Sequence, residues 1–208
     1  MSSIKIESLD LATVSFGALQ IAPQTGNKFI PLLRKPAADA VPVSLDVQLP
    51  SSLMPFGVGV YAEKKTVSFR ADDVDMRAKL EALDEMVLEH IMANPALVGR
   101  PNGVSRPALE VRYTALYKTV PAHPIGLLKV KLNFKADGTP AFAHDGVNEG
   151  YGDHACRNHY ARSIVRIKGV WINNNGFGVL VHMQRLRIED QVAVHEDAED
   201  EVIPEFED

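Results

Sequence analysis

The sequence predicts a mainly β protein: a barrel or sandwich of many short strands, one inserted amphipathic helix and an acidic C-terminal tail. Three observations predict it. Apolar residues alternate with polar ones at a period of two in several stretches of the chain, the pattern of half-buried strands. One stretch alone switches to spacings of three and four. Residues 189–208 hold ten acids and neither Lys nor Arg.

Taken in order, the elements justify that class. Strands are expected at Ala12–Leu19, Val43–Leu49, Phe56–Tyr61, Thr66–Phe69, Val111–Tyr117, Leu128–Phe134, Ile164–Ile172 and Phe177–Ile188. Val43, Leu45, Val47 and Leu49 alternate with Pro42, Ser44, Asp46 and Gln48, and Pro42 sets this strand at its start or at a sheet edge. In the later strand Leu128, Val130, Leu132 and Phe134 face one way, with Lys129, Lys131 and Asn133 facing the other. The segments between are rich in Gly, Asn, Pro and Asp, as hairpin connections require. The helix is expected over residues 72–93, where Met76, Leu80, Leu83, Val87 and Ile91 form the apolar stripe. Asp72 or Asp73 caps its start, and Asn94-Pro95 ends it, because the residue before proline is pushed out of the helical region. Its outer face carries Asp84, Glu85 and Glu89, so that face is not expected to meet phosphate. Residues 99–107 and 136–158 are expected to be loops. The division is thus a body over 1–188 and a tail over 189–208.

Composition excludes several classes. The hydrophobic fraction of 46% is that of a folded globular protein. Cys156 is the only cysteine, so there is no internal disulfide and no four-cysteine zinc site. No apolar run approaches the ~20 residues that span a bilayer. The first residues lack an apolar signal core, and the expectation is a cytoplasmic protein with no membrane partner. Phosphate-cradling, dinucleotide-binding, nucleophile-elbow and zinc-protease motifs do not occur. An enzyme is therefore not expected, and no cofactor is implied.

The net charge of −5 hides a split. Residues 1–188 carry 22 basic and 17 acidic groups, a net of +5. Between Arg112 and Arg187 there are eleven Lys and Arg against four acids. Aromatic residues interleave with them. Single-stranded nucleic acid is bound by this pair of ingredients, since cations track the backbone and flat rings stack on bases. Lys129, Lys131, Arg157, Arg162, Arg166 and Lys168 are the expected phosphate contacts. Tyr151, Tyr160, Trp171 and Phe177 are the expected stacking rings. Lys129 and Lys131 on one strand, and Arg166 and Lys168 on another, make one basic stripe if those strands are neighbours. For any single residue the competing reading is ordinary packing of rings and solvation of charges. His144, Asp145, Asp153, His154, Cys156 and His159 form the only metal-like cluster, in which His154, Cys156 and His159 offer nitrogen and sulfur donors that zinc accepts. Their spacing is not a standard one, so the expectation is no metal. In the tail, Val202, Ile203, Pro204 and Phe206 sit inside the acidic run. A purely solvating tail does not need such an anchor, so Ile203, Pro204 and Phe206 are expected to dock partner proteins.

The order of these pieces resembles the OB-fold single-stranded DNA-binding proteins of bacteriophage replication, the group of the T-odd phage helix-destabilising proteins. The resemblance is carried by the single helix ahead of the later strands, by Lys-Val-Lys-Leu-Asn-Phe at Lys129–Phe134, and by the pair Ile164–Ile172 and Phe177–Ile188. There a strand ending in an aromatic meets a turn and returns. The acidic tail with Phe206 near its end is the fourth feature, although Glu207 and Asp208 follow that aromatic. The resemblance is sharpest over residues 127–188. It implies an OB-fold-like barrel with a disordered tail, acting on single-stranded DNA in phage replication or recombination. It further implies an infected bacterial cytoplasm, docking of phage or host replication proteins through the tail, and possible homo-oligomers. The alternatives are a structural, virion-associated β protein with a basic face and, behind it, a zinc-dependent enzyme.

Overall fold

Alternating segments bury their apolar faces by pairing, and here they pair into one sheet. The computed structural model describes residues 3–61, 64–120, 123–145 and 156–192. Its strands are β1 (Ile4–Lys5), β2 (Val14–Phe16), β3 (Gln20–Ile21), β4 (Lys28–Arg34), β5 (Val43–Met54), β6 (Val58–Tyr61) and β7 (Lys64–Arg70). Two helices follow, α1 (Val74–Ala93) and α2 (Arg106–Glu110). The later strands are β8 (Tyr113–Thr114), β9 (Tyr117–Val120), β10 (His123–Leu132), β11 (Ala143–Asp145), β12 (His159–Ile172) and β13 (Phe177–Val192). The main path runs β1-β5-β4-β12-β13-β10-β7-β6. Among the described residues no pairing joins its two ends, so the sheet is open.

The antiparallel pair β12–β13 is the spine. Its turn is held by Asn173, whose side-chain oxygen accepts from the backbone N–H groups of Asn175 and Gly176. One edge of β12 is shared: His159–Ile167 pairs with β5, and Gly169–Ile172 with β4. The free edge of β13 takes β8, β10 and β11 in succession, all parallel to it.

One face of this sheet is the core. Leu45, Val47 and Leu49 of β5, Leu128, Val130 and Leu132 of β10, Val165 and Ile167 of β12, and Val181 and Met183 of β13 are buried with Met76, Leu80 and Leu83 of α1. A second cluster joins Val87, Leu88 and Ile91 of α1 to Ile30, Val170, Ile172 and Phe177. The helix stripe read from the sequence is therefore the surface that covers the sheet. The Asp73 carboxylate accepts from Met76 N–H at 2.7 Å and caps α1. At the other end, the chain leaves the helix at Asn94.

Several expectations are corrected. Asp84 is buried, not part of a wet acidic face. It accepts from the Tyr113 hydroxyl and the Leu116 N–H, because α1 turns this position towards the segment after α2. The stretch Val111–Tyr117 is not one strand; it breaks after Thr114 into β8 and β9, which pair with different partners. Arg106–Glu110, partly inside the expected loop 99–107, is helical. Ala12–Leu19 shortens to β2 behind a 3-10 turn at Leu11–Thr13. The strand β4 was not expected, and β13 runs on through Val192. Glu189 and Asp190 thus belong to the sheet, and the remaining tail, 193–208, lies outside the described residues.

Candidate nucleic-acid interface

The face opposite α1 gathers the basic residues. The register sets one row across five strands: Thr66 on β7, Lys131 on β10, His182 on β13, Arg166 on β12 and Asp46 on β5. The two strands that carry the expected stripe are thus not neighbours. They are second neighbours, with β13 between them and His182 in the gap. The alternation of β12 adds Arg162 to the same side, opposite Arg187, and Ile164 lies opposite Arg185. Lys129 precedes Lys131 by two residues and is exposed. Seven cations, Lys129, Lys131, Arg162, Arg166, Lys168, Arg185 and Arg187, therefore share one sheet face.

Arg166 and Arg162 are matched within the sheet. Arg166 donates through Nε to Asp46 Oδ1 at 2.6 Å and through Nη2 to Oδ2 at 2.9 Å. This fork-to-fork pair raises the Arg166 pKa and covers Asp46, which is 5% exposed. Arg166 is thus partly committed to the fold, and its expected role as a free phosphate contact is reduced. Arg162 donates to Glu189 at 2.7 Å, and Ser51 donates to the other oxygen of the same carboxylate. The Ser51 hydroxyl, then the Arg162 guanidinium, hold the Glu189 pKa below its usual range. Arg162 stays 64% exposed, and its pair with Glu189 is one that solvent weakens. A cavity of about 260 Å³ opens beside it, lined by Gln48, Arg162, Ser163, Ile164, Arg185 and Arg187.

The aromatic end of this face depends on a bulge. Ile167 pairs with Val181 and Gly169 with Leu180, so Lys168 is an extra residue in β12. Beyond a bulge the alternation changes sides. Val170 and Ile172 become buried against α1, and Trp171 joins the basic face, half-buried between Phe29 on β4 and Gly178 on β13. Gly169 has φ +152°, and a Cβ there would overlap the Ile30 carbonyl. Gly178 leaves the space beside Trp171 Cζ2 that a Cβ would enter at 3.2 Å.

The other expected rings separate. Phe177 is fully buried and packs against Tyr113 at 5.1 Å between ring centroids; it is a core residue and offers no face for stacking. Tyr160 is half-buried at the start of β12, on the side of Arg162. Arg157 is exposed in the turn ahead of β12. Tyr151 and His154 lie outside the described residues, as do Ile203, Pro204 and Phe206. Cys156 is buried, and burial pushes its thiol up to about 11, the reverse of what a thiolate ligand needs. His159 Nδ1 is bonded to the Arg157 carbonyl at 2.9 Å. Among the described residues no group of His, Cys, Asp and Glu is arranged to hold a metal, and no helix is long and apolar enough to cross a membrane.

Sequence reasoning passed over His182 and Phe29, and placed Asn133 beside Lys131 without a role. His182 had a signal in the period-two pattern of β13, since it alternates with Val181 and Met183. Phe29 had none, because its strand was missed. No protein-family model matches the chain, and no curated protein matches it significantly.

Proposed function

We propose that this chain is a sequence-tolerant single-stranded DNA-binding protein whose binding surface is the basic sheet face. One observation carries the reading: cations from β10, β12 and β13 share a face with Trp171, while the opposite face is committed to core and helix. Along β12, Arg162 to Trp171 spans about 30 Å at ~3.3 Å per residue. That run suits several phosphates followed by a stacking ring. Lys129, Lys131, Lys168, Arg185 and Arg187 supply the cationic track, with Arg162 exchanging Glu189 for phosphate. Trp171, with Phe29 beside it, supplies the platform, and Tyr160 marks the opposite end. The finer reading is an OB-fold-like body acting in phage replication or recombination in an infected bacterial cytoplasm. In it the acidic tail docks replication proteins and competes for the face.

The test is fluorescence of Trp171, the sole tryptophan, during titration with oligo-dT across a salt series. Quenching that weakens steeply as salt rises is expected, with duplex DNA bound more weakly. Absence of binding at low salt overturns the proposal.

A further inference from the structure

At the centre of the basic face sits a buried group whose hydrogen-bonding capacity is unmet. His182 is 8% exposed. Its Nδ1 lies 2.7 Å from the Asn133 side-chain amide nitrogen. An amide nitrogen only donates, so Nδ1 accepts, and in the neutral ring Nε2 carries the hydrogen. Nε2 is buried and has no hydrogen-bond partner. A buried donor without an acceptor is costly, and this one is flanked by positive charge. Lys131 stands beside it in register on β10, and Lys168 is the bulge residue on β12. Arg166, the third neighbouring cation, is held by Asp46.

We propose that His182 Nε2–H, with Lys131 and Lys168, forms a seat for one oxyanion, a phosphodiester phosphate of the bound strand. The proposal rests on the nucleic-acid reading for the source of that phosphate, but the chemistry of the seat does not. A phosphate oxygen supplies the acceptor that Nε2–H lacks, and its single negative charge offsets part of the charge of the two ammonium groups. Burial first, then Lys168, Lys131 and Arg166, hold the imidazole down to about 4 in the free protein. A neutral donor is therefore already in place at pH 7, and an arriving anion lessens the positive field at the ring. The charged groups that face the ring are Lys131 from β10 and Arg166 and Lys168 from β12, with Asp46 of β5 behind Arg166. The helix lies on the other side of the sheet.

The experiment is long-range ¹H–¹⁵N correlation of the imidazoles in the full-length protein, with His182 assigned by loss of its signal in His182→Phe. Oligo-dT and inorganic phosphate are titrated separately, against chloride at matched ionic strength, and anisotropy of labelled oligo-dT reports binding independently. Both additions are expected to shift the His182 Nε2–H signal and raise the pH at which the ring titrates. His182→Phe is expected to bind oligo-dT about tenfold more weakly. If oligo-dT binds by anisotropy and the His182 signal stays where it was, the seat is wrong and the binding face survives. If phosphate shifts the signal but oligo-dT does not bind, the seat stands and the strand-binding reading falls. An equal shift with chloride shows only a general charge response and overturns the seat.

Discussion

At the residue scale, two aromatics eight positions or fewer from the β12–β13 turn have opposite roles, and a bulge decides which is which. Trp171 reaches the basic face because Lys168 is an extra residue and Gly169 tolerates both its backbone angle and the close Ile30 carbonyl. Gly169→Ala is expected to destabilise the fold by about 2–3 kcal/mol, from overlap and backbone strain together. A stability loss in urea below about 0.5 kcal/mol would mean that the bulge relaxes easily. Trp171→Ala is expected to lose about 1–3 kcal/mol of oligo-dT affinity at modest cost in stability. Phe177→Ala is expected to behave in reverse, losing about 3–5 kcal/mol of stability and little affinity per folded molecule. Parallel urea melts and anisotropy titrations of the two variants separate ring stacking from core packing. Equal affinity losses would remove Trp171 from the proposed platform.

At the scale of elements, α1 joins two kinds of chemistry. Its apolar stripe covers both core clusters, while Asp84 is drawn inward to bond Tyr113 and Leu116. Asp73→Ala removes the cap on Met76 N–H and is expected to cost about 1 kcal/mol of stability, measured by urea denaturation. The stripe and the cap were legible in the sequence because a helix repeats locally and announces its ends. The long strands β5, β10, β12 and β13 were legible from their period of two, but each has an end that the sequence did not announce. The strand β4 was not: Lys-Phe-Ile-Pro-Leu-Leu-Arg has an apolar run with proline inside, which argues against a central strand. Its proline is accommodated because Pro31 lies opposite Gly169, at the bulge. The candidate face was half legible. Period two placed Lys129 and Lys131 on one strand face and Arg166 and Lys168 on another, but which strands adjoin is a long-range property. The register that puts His182 between Lys131 and Arg166, and the carboxylate that holds Arg166, depend on pairings absent from local spacing. Phe177 was misread because an aromatic beside a glycine turn looks the same whether it faces α1 or solvent.

At the scale of the whole molecule, two buried titratable groups oppose each other in their effect on stability. His182 titrates near 4 in the folded state against 6.5 when exposed. Its contribution is fully present above pH 6.5 and is lost as pH falls towards 4, because the unfolded chain takes up the proton first. Asp84 is pushed up to about 6 from 3.8, by burial above all. Its contribution has the other sign: it is fully present below pH 3.8 and is lost as pH rises through 6. Each is worth about 3 kcal/mol at most over its window, so between pH 4 and 6 the wild-type protein is expected to show a nearly flat stability. Asp84→Asn leaves His182 alone, and stability should then fall on acidification across that range. His182→Phe should make it rise. Urea denaturation at pH 4, 5 and 6 reads both slopes. A parallel slope in both variants would contradict the assignment.

The boundary between sheet and tail decides where the tail can be cut. Glu189 is bonded to Arg162 and Ser51 inside the sheet, so a deletion that begins at 189 would remove a carboxylate that holds the face. Deletion of 193–208 keeps β13 intact and removes eight acids, leaving a body of 22 basic and 19 acidic groups. If those acids compete with phosphate for the cationic track, the truncated chain should bind oligo-dT more tightly at low salt. The gain should shrink as salt rises, since the screening length drops to ~3 Å at 1 M. Salt dependence itself gives the size of the track. About five phosphate contacts predict a log–log slope near −3.5, and Lys129→Ala or Lys168→Ala should each reduce it by about 0.7. Anisotropy titrations of the full-length and truncated chains over one salt series test both statements together. A truncated protein with the same affinity at every salt concentration would leave the track in place and remove the tail as its competitor. A slope near zero in both proteins would remove the track itself.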